Sequence, residues 1–289
     1  MNSFLGWLER AVAVFNQANF WRSKCRVWGQ TMATATFERW LYLRLHKLGR
    51  MGIEERATLA QLVRPGMTVI EVGGNLGLYT VLLSRLVGPT GRIISFEPDP
   101  DLYTLLRRNC EINKCVNVES HQLAAGSGPA RLVLQKLIIN SGDNHLGEGG
   151  SRLFRRAIET EVVALDQFLP SLCPDFIKID VQGWEFEVLK GLRGLLLSNP
   201  ATGIYFELWP SGLHRANCSV EVVAHWLRDM GFRLYNPHSK QPLDDAALVS
   251  LTSKLTGLKH TDLLAARNRD GSTPNNYPAS SLPELLHRG

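Results

Sequence analysis

The sequence predicts an α/β domain over residues 61–267, built on a doubly wound, mainly parallel sheet with helices on both faces. Three observations carry that expectation. Short β-rich runs alternate with helical runs, Thr68 to Val72 before Leu78 to Val87 and Arg92 to Phe96 before Leu102 to Asn113, which is the pattern of βαβ units. The first strand runs directly into a glycine-rich turn, Gly73-Gly74-Asn75-Leu76-Gly77, that opens a helix. The second strand ends in an acid, Glu97, twenty residues beyond Gly77; an acid so placed reaches a ligand lying over the first turn of such a sheet.

Taken in order, residues 1–60 show no strand-like run and predict a helical N-terminal extension. Phe4 to Phe15 reads as an amphipathic helix interrupted by Glu9 and Arg10, with no small-residue cleavage site behind it. Trp40, Leu41, Leu43, Leu45 and Leu48 recur at helical spacing. Arg64-Pro65-Gly66 is a turn, and the alternation begins after it. Val116 to Leu123 is expected as a third strand. Arg131 to Leu137 and Glu159 to Val163 flank a polar, glycine-rich stretch and predict an inserted hairpin over roughly 130–164. Phe176 to Val181 reads as a buried strand, followed by a helix from Trp184 to Leu197 with Val188, Leu189, Leu192, Leu195 and Leu196 on one face. A strand at Gly203 to Leu208, a helix at Val220 to Met230, and strands at Gly231 to Tyr235 and Asp262 to Ala266 complete the domain. Residues 268–289, rich in Pro, Ser, Asn and Gly, are expected as a mobile tail.

Composition bounds the partners. The 289 residues carry 32 Lys+Arg against 27 Asp+Glu, with 44% hydrophobic and 20% charged residues, the balance of a soluble globular protein. The positive charges are spread along the chain rather than clustered, so no nucleic-acid partner is expected. Five cysteines form no Cys-x-x-Cys pair. That argues against a zinc module or disulfide framework and for a reducing, cytoplasmic setting. No window is long and apolar enough for a membrane span.

The glycine-rich turn is where a ligand's polar end belongs. Glycines let the backbone pass close to a bound molecule, and the new helix offers unpaired N–H groups. The dinucleotide pattern G-x-G-x-x-G fails, because from Gly73 its later glycines fall on Asn75 and Leu78; an NAD-dependent oxidoreductase is disfavoured. The run Glu71-x-Gly73-x-Asn75-x-Gly77 instead resembles the opening motif of class I S-adenosylmethionine methyltransferases, whose turn faces the methionine part of the cofactor. Glu97, followed by Pro98, is then the expected ribose ligand.

A third segment, Phe176-Ile-Lys178-Ile-Asp180-Val-Gln182-Gly183-Trp-Glu185-Phe-Glu-Val-Leu-Lys-Gly191, resembles the signature of the FkbM-type methyltransferases. Leu165-Asp166 precedes it as in that family. Gln182 stands where the family usually has Glu, and Glu71 and Gly74 are conservative departures in the first motif. The resemblance covers roughly residues 60–235. It implies a Rossmann-like class I methyltransferase fold with an antiparallel last strand; the helical N-terminal extension over residues 1–60 is expected to cap the acceptor side. The implied chemistry is O-methylation of a hydroxyl on a sugar or natural-product small molecule, with S-adenosylmethionine as donor and S-adenosylhomocysteine as product; N-methylation, or cofactor binding without turnover, are the alternatives. The implied cofactor residues are Glu71, Gly73, Gly74, Asn75, Gly77, Glu97, Pro98, Leu123, Ala124 and Asp180. Asp180, at a strand end facing the cleft, is the first catalytic candidate, and helix capping is its other reading. Glu207, at the end of the next strand, and His214 are further proton acceptors. No metal is expected; Asp143-Asn144-His145 with Asp180 is the set that would supply one.

Overall fold

The computed structural model describes residues 24–35, 37–49, 51–137, 144–146, 155–257 and 259–267. The expected helix at Phe4 to Phe15 and the tail from Asn268 lie outside them.

The N-terminal extension is not wholly helical. It opens with a hairpin, β1 (Lys24–Val27) and β2 (Gln30–Ala33), paired antiparallel. Trp28 and Gly29 both adopt positive φ, which matches the twist of a two-residue hairpin loop. The alternation that signals a strand, with Cys25 and Val27 buried and Lys24 and Arg26 exposed, lasts only four residues, too few to stand out in the sequence. Helices α1 (Phe37–Lys47) and α2 (Ile53–Leu62) follow.

The βαβ units come next: β3 (Thr68–Val72), α3 (Leu78–Val87), β4 (Arg92–Phe96), α4 (Pro100–Ile112) and β5 (Val118–His121). Asp99 caps α4 by accepting the Asp101 and Leu102 amides, with Pro100 in the first turn. The third strand is shorter than predicted because Lys114 turns with positive φ and Val116 is 90% exposed. Strands β6 (Ala124–Ala125), β7 (Ala130–Leu137), β8 (His145–Leu146) and β9 (Arg155–Val163) form a separate four-stranded sheet in which β7 and β9 pair as the hairpin.

After α5 (Leu165–Phe168) and β10 (Phe176–Ile179), the predicted single helix is two, α6 (Glu185–Gly191) and α7 (Arg193–Ser198). The second starts afresh because the Asp166 carboxylate accepts the Gly194 amide at 3.0 Å. The chain continues through β11 (Gly203–Leu208), α8 (Pro210–Arg215), α9 (Val220–Asp229), β12 (Arg233–Tyr235), α10 (Asp245–Thr252) and β13 (Thr261–Ala266). Helix α10, absent from the sequence reading, is started by Asp244, whose carboxylate accepts the Ala247 amide.

The main sheet has seven strands in the order β12-β13-β11-β10-β3-β4-β5. The strands β11, β10, β3, β4 and β5 are mutually parallel, and β13 runs antiparallel to both of its neighbours. Successive side chains leave opposite faces: Ile70, Ile94, Ile177 and Ile204 pack with α6, α7 and α9, whereas Val69, Ile93, Phe176 and Tyr205 pack with α2 and α3. The chain builds outward from β3 in one direction and then crosses to β10 on the other side, so a crevice opens between their carboxyl ends.

The hairpin is tied to this body by Asn109 of α4, which is fully buried. Its amide nitrogen donates to the carbonyls of Ala33 (3.3 Å) and Leu76 (2.8 Å), and its oxygen accepts the Ala33 amide at 2.6 Å. The Asn109→Ala substitution orphans those groups and should destabilise the protein by about 2–4 kcal/mol in chemical denaturation. A loss under about 0.5 kcal/mol, the size of a neutral surface change, would show that water replaces the side chain freely.

Candidate active site

At the crevice, β3 enters its turn and β10 ends in Asp180. Gly73 has φ +89°, and a Cβ there would lie 1.9 Å from the Asp180 carbonyl oxygen. Only glycine lets the two strand ends abut this closely. The turn is held from beneath by Glu71, which is buried and does not reach the cavity. Its Oε2 accepts hydrogen bonds from Thr80 (2.6 Å) and Ser95 (2.7 Å). Burial raises its pKa, against the Lys178 charge and these two hydroxyls. Gly77 starts α3 behind the turn, packed towards Leu106. Glu71 and Gly77 therefore shape the turn, while Gly73, Gly74 and Asn75 face the cavity.

That cavity has a volume of about 630 Å³, within the range of small-molecule sites. Glu97 stands on its wall with one carboxylate oxygen accepting the Asn75 amide at 2.7 Å and the other the Asp99 amide at 2.9 Å. Burial pushes its pKa up to about 8, against the pull of those two amides. Pro98, Leu123 and Ala124 line the same wall. A carboxylate that each turn amide orients, beside an apolar shelf, suits a diol on a flat base.

Asp180 and Glu207 line the cavity from the neighbouring strand ends. Gln182, at φ +56°, joins them: its amide nitrogen donates to Asp180 Oδ1 at 3.0 Å and to Glu207 Oε2 at 2.8 Å. Glu207 Oε1 lies 3.4 Å from His260 Nε2. Burial, followed by the nearby Asp180 and Glu185 charges, holds the Glu207 pKa well above the usual carboxylate range. Asp180 is not a helix cap. Glu185 fills that need, its Oε1 accepting the Val181 and Gly183 amides at 3.2 and 3.0 Å, and burial lifts its own pKa to about 7. His214 is exposed on α8 and stands apart from the cavity. His145 lines the cavity and Asn144 donates to Asp99 Oδ2 at 3.0 Å; Asp143 lies outside the described residues. Among the described residues no group of three or more His, Cys, Asp or Glu is arranged to hold a metal ion.

Lys178 and Glu55 are among the site residues that the sequence alone does not single out. Lys178 is buried, with Nζ 3.3 Å from Asp180 Oδ2, 3.4 Å from Glu55 Oε1 and 4.7 Å from the centre of the Tyr79 ring. Burial alone would lower its pKa, but Asp180, Glu55, Glu71 and Asp262 together raise it above the ordinary lysine value. The signal was present: Lys178 and Asp180 are two apart on one strand and so share a face. Glu55 comes from α2, outside every motif; burial raises its pKa to about 7 against the attraction of Lys178.

Comparison with known proteins agrees with this geometry. The sequence profile of the methyltransferase FkbM domain matches residues 71–234. The chain is 28% identical over 144 residues to "Methyltransferase 1" of Beauveria bassiana, a match spanning 43% of this chain and 57% of that one. It is 25% identical over 217 residues to "Methyltransferase sdnD" of Sordaria araneosa, covering 63% of this chain and 80% of that protein. It is also 27% identical over 129 residues to "Hexuronic acid methyltransferase AglP" of Haloferax volcanii, 44% of this chain and 51% of the relative. The domain match takes in the glycine turn, Glu97, the Lys178-to-Gly191 run and Glu207, and by it the chain belongs to the FkbM methyltransferase family.

Proposed function

We propose that the protein transfers a methyl group from S-adenosylmethionine to a hydroxyl of a small molecule, a sugar or a secondary metabolite. The observation that carries the donor assignment is Glu97, poised by the Asn75 and Asp99 amides at the wall of the cavity. Its oxygens retain lone pairs that accept from a ribose diol. Leu123 and Ala124 would flank the base, and Gly73, Gly74 and Asn75 would face the methionine part. When bound, the cofactor supplies an electrophilic methyl carried on sulfur. The sugar or natural-product character of the acceptor draws support from the relative named for hexuronic acid.

The chain's own residues divide the remaining work. Glu207, whose pKa is raised by burial and by the neighbouring Asp180 and Glu185 charges, is a second carboxyl beside Asp180 that can hydrogen-bond an incoming hydroxyl. Asp180, anchored by Lys178 and Gln182, is placed to accept its proton as the oxygen attacks. Positioning of the hydroxyl between them supplies much of the rate. Residues of the N-terminal segment, Tyr42, His46 and Glu55 among them, line the opposite side of the cavity, which supports its role as the acceptor-side cap over a methyltransferase domain of residues 61–267. Five free cysteines fit a cytoplasmic enzyme, and no described helix is long and apolar enough to cross a membrane.

Calorimetry with S-adenosylhomocysteine tests the donor. The Glu97→Ala protein should bind it about 10- to 100-fold more weakly than wild type, the loss expected for the buried hydrogen bonds of one carboxyl group to a diol. Equal affinity in the two proteins would remove Glu97 from the site, and no affinity in wild type would remove the donor itself.

Asp180→Asn keeps the shape but removes one counter-charge of the buried Lys178, leaving Glu55 as its partner, so the melting temperature should fall while the protein stays folded. Methyl transfer to the acceptor found in a screen of sugar and secondary-metabolite hydroxyls should fall about 100-fold or more. Full turnover by this variant would remove Asp180 from the proton-accepting role.

A further inference from the structure

His46 is 2% exposed, lines the cavity, and has no hydrogen-bond partner at either ring nitrogen among the described residues. Two such unmet groups in one side chain are costly in a folded protein. Its neighbours are rings. Tyr42 lies 4.4 Å away between centroids, Trp28 5.1 Å and Tyr79 6.2 Å, all edge-on. Gly52 closes the pocket from the α2 side: its Cβ position lies 2.8 Å from His46 Cε1 and 2.4 Å from the Tyr79 hydroxyl, so any larger residue would press His46 into the cavity. Burial lowers the His46 pKa to about 4. The ring is therefore neutral at physiological pH, with one N–H to donate and one bare nitrogen to accept, and it is too weak a base to take a proton.

The surroundings limit what it can meet. His46, Tyr79 and Asp180, where the proposed transfer occurs, all line the cavity. Lys178 is buried behind them, and Glu55 and Asp180 already flank it. A carboxylate or phosphate on the acceptor would face Glu55, Asp180 and Glu207 without an unengaged described cation to offset them. The Tyr42 ring offers a flat apolar face instead, against which a ring's C–H or π face packs, and Tyr79, which carries Lys178 Nζ over one face, lines the cavity beside it.

We propose that His46, with Tyr42 and Tyr79, forms the acceptor subsite, and that this subsite takes an uncharged ring bearing hydroxyl groups, one of which His46 hydrogen-bonds. This rests on the methyltransferase reading above and narrows its acceptor. His46 is a positioning residue: it fixes the acceptor ring so that a second hydroxyl is presented at Asp180.

The test uses the full chain loaded with S-adenosylhomocysteine and two probes, phenyl β-D-glucopyranoside and phenyl β-D-glucuronide, matched in ring faces and different in charge. The glucopyranoside should bind at least about tenfold more tightly than the glucuronide, and His46→Phe should weaken it by about tenfold or more, the scale of one lost hydrogen bond. His46→Phe should leave S-adenosylhomocysteine affinity within about twofold and should not lower the melting temperature, because it removes two unmet polar atoms. His46→Gln, which keeps a donor and an acceptor, should restore most of the glucopyranoside affinity. Undiminished binding by His46→Phe, a preference for the glucuronide, or no glucopyranoside binding to the loaded wild type would overturn the subsite. A steep fall in melting temperature in both variants would mark His46 as structural and overturn it equally. Failure of the wild type to bind S-adenosylhomocysteine at all would instead strike the donor assignment.

Discussion

The contact between Gly73 and the Asp180 carbonyl governs the site. At this point two parallel strands that diverge in their connections are pressed together at their ends, with no room for a single carbon between them. The Gly73 amide is itself held by the Phe96 carbonyl at 2.9 Å, and the Asp180 amide by the Val72 carbonyl at 2.9 Å. The first, second and fourth parallel strands are thus locked in one register. Glu97 on one flank and Asp180 with Glu207 on the other inherit their separation from that lock rather than from loops of their own. Functional groups on rigid strand ends hold their positions better than groups on mobile connections.

Behind the lock lies a second constraint, electrostatic in kind. Glu55, Glu71, Asp180 and Asp262 all act on Lys178, one buried ammonium. The cation keeps the floor from accumulating negative charge, and the carboxyls keep the cation charged where burial would otherwise neutralise it. Gln182 adds a neutral bridge between Asp180 and Glu207. A glutamate there, the usual residue of the family signature, would bring a third carboxyl to the same few ångströms; the amide avoids that repulsion and leaves both neighbours hydrogen-bonded.

What the sequence made legible follows from how local each signal is. The glycine turn, Glu97 and the Lys178-to-Gly191 run each sit on one strand and the residues just after it, so their spacing carries their placement. The two arms of the hairpin, β7 and β9, and the position of β13 show in the same local way, whereas the antiparallel direction of β13 is implied by the family resemblance alone. The β1–β2 hairpin was not, since two four-residue strands give too short an alternation and Trp28-Gly29 is no common hairpin loop. Glu71 was read as a ligand contact because its position in the motif does not tell which way a buried acid turns; it turns inward, to Thr80 and Ser95. Asp180 was read as a possible cap, but Glu185, one turn on, reaches back to the same amides. His46 and Glu55 were invisible for a different reason. They join the site only through contacts across the fold, from helices whose own pattern announces nothing beyond a core face.

The attachment of the hairpin through Asn109 bears on how this protein can be cut and inherited. Asn113 repeats the bond one turn later, accepting the Thr31 amide at 3.2 Å and donating to its carbonyl at 2.8 Å. Met32 and Leu43 share a core cluster with Leu78, Leu102 and Leu106, while Leu59 and Leu62 pack under the sheet with Val69 and Ile93. The piece that behaves as one physical object therefore begins well before the stretch that defines the family. A chimera spliced at residue 71 would carry a raw apolar seam along α3 and α4, and leave behind Tyr42, His46 and Glu55, which line the cavity. An exchange of this domain that keeps its packing intact should therefore carry the hairpin with it, as a cassette that includes β1, β2 and both helices behind them.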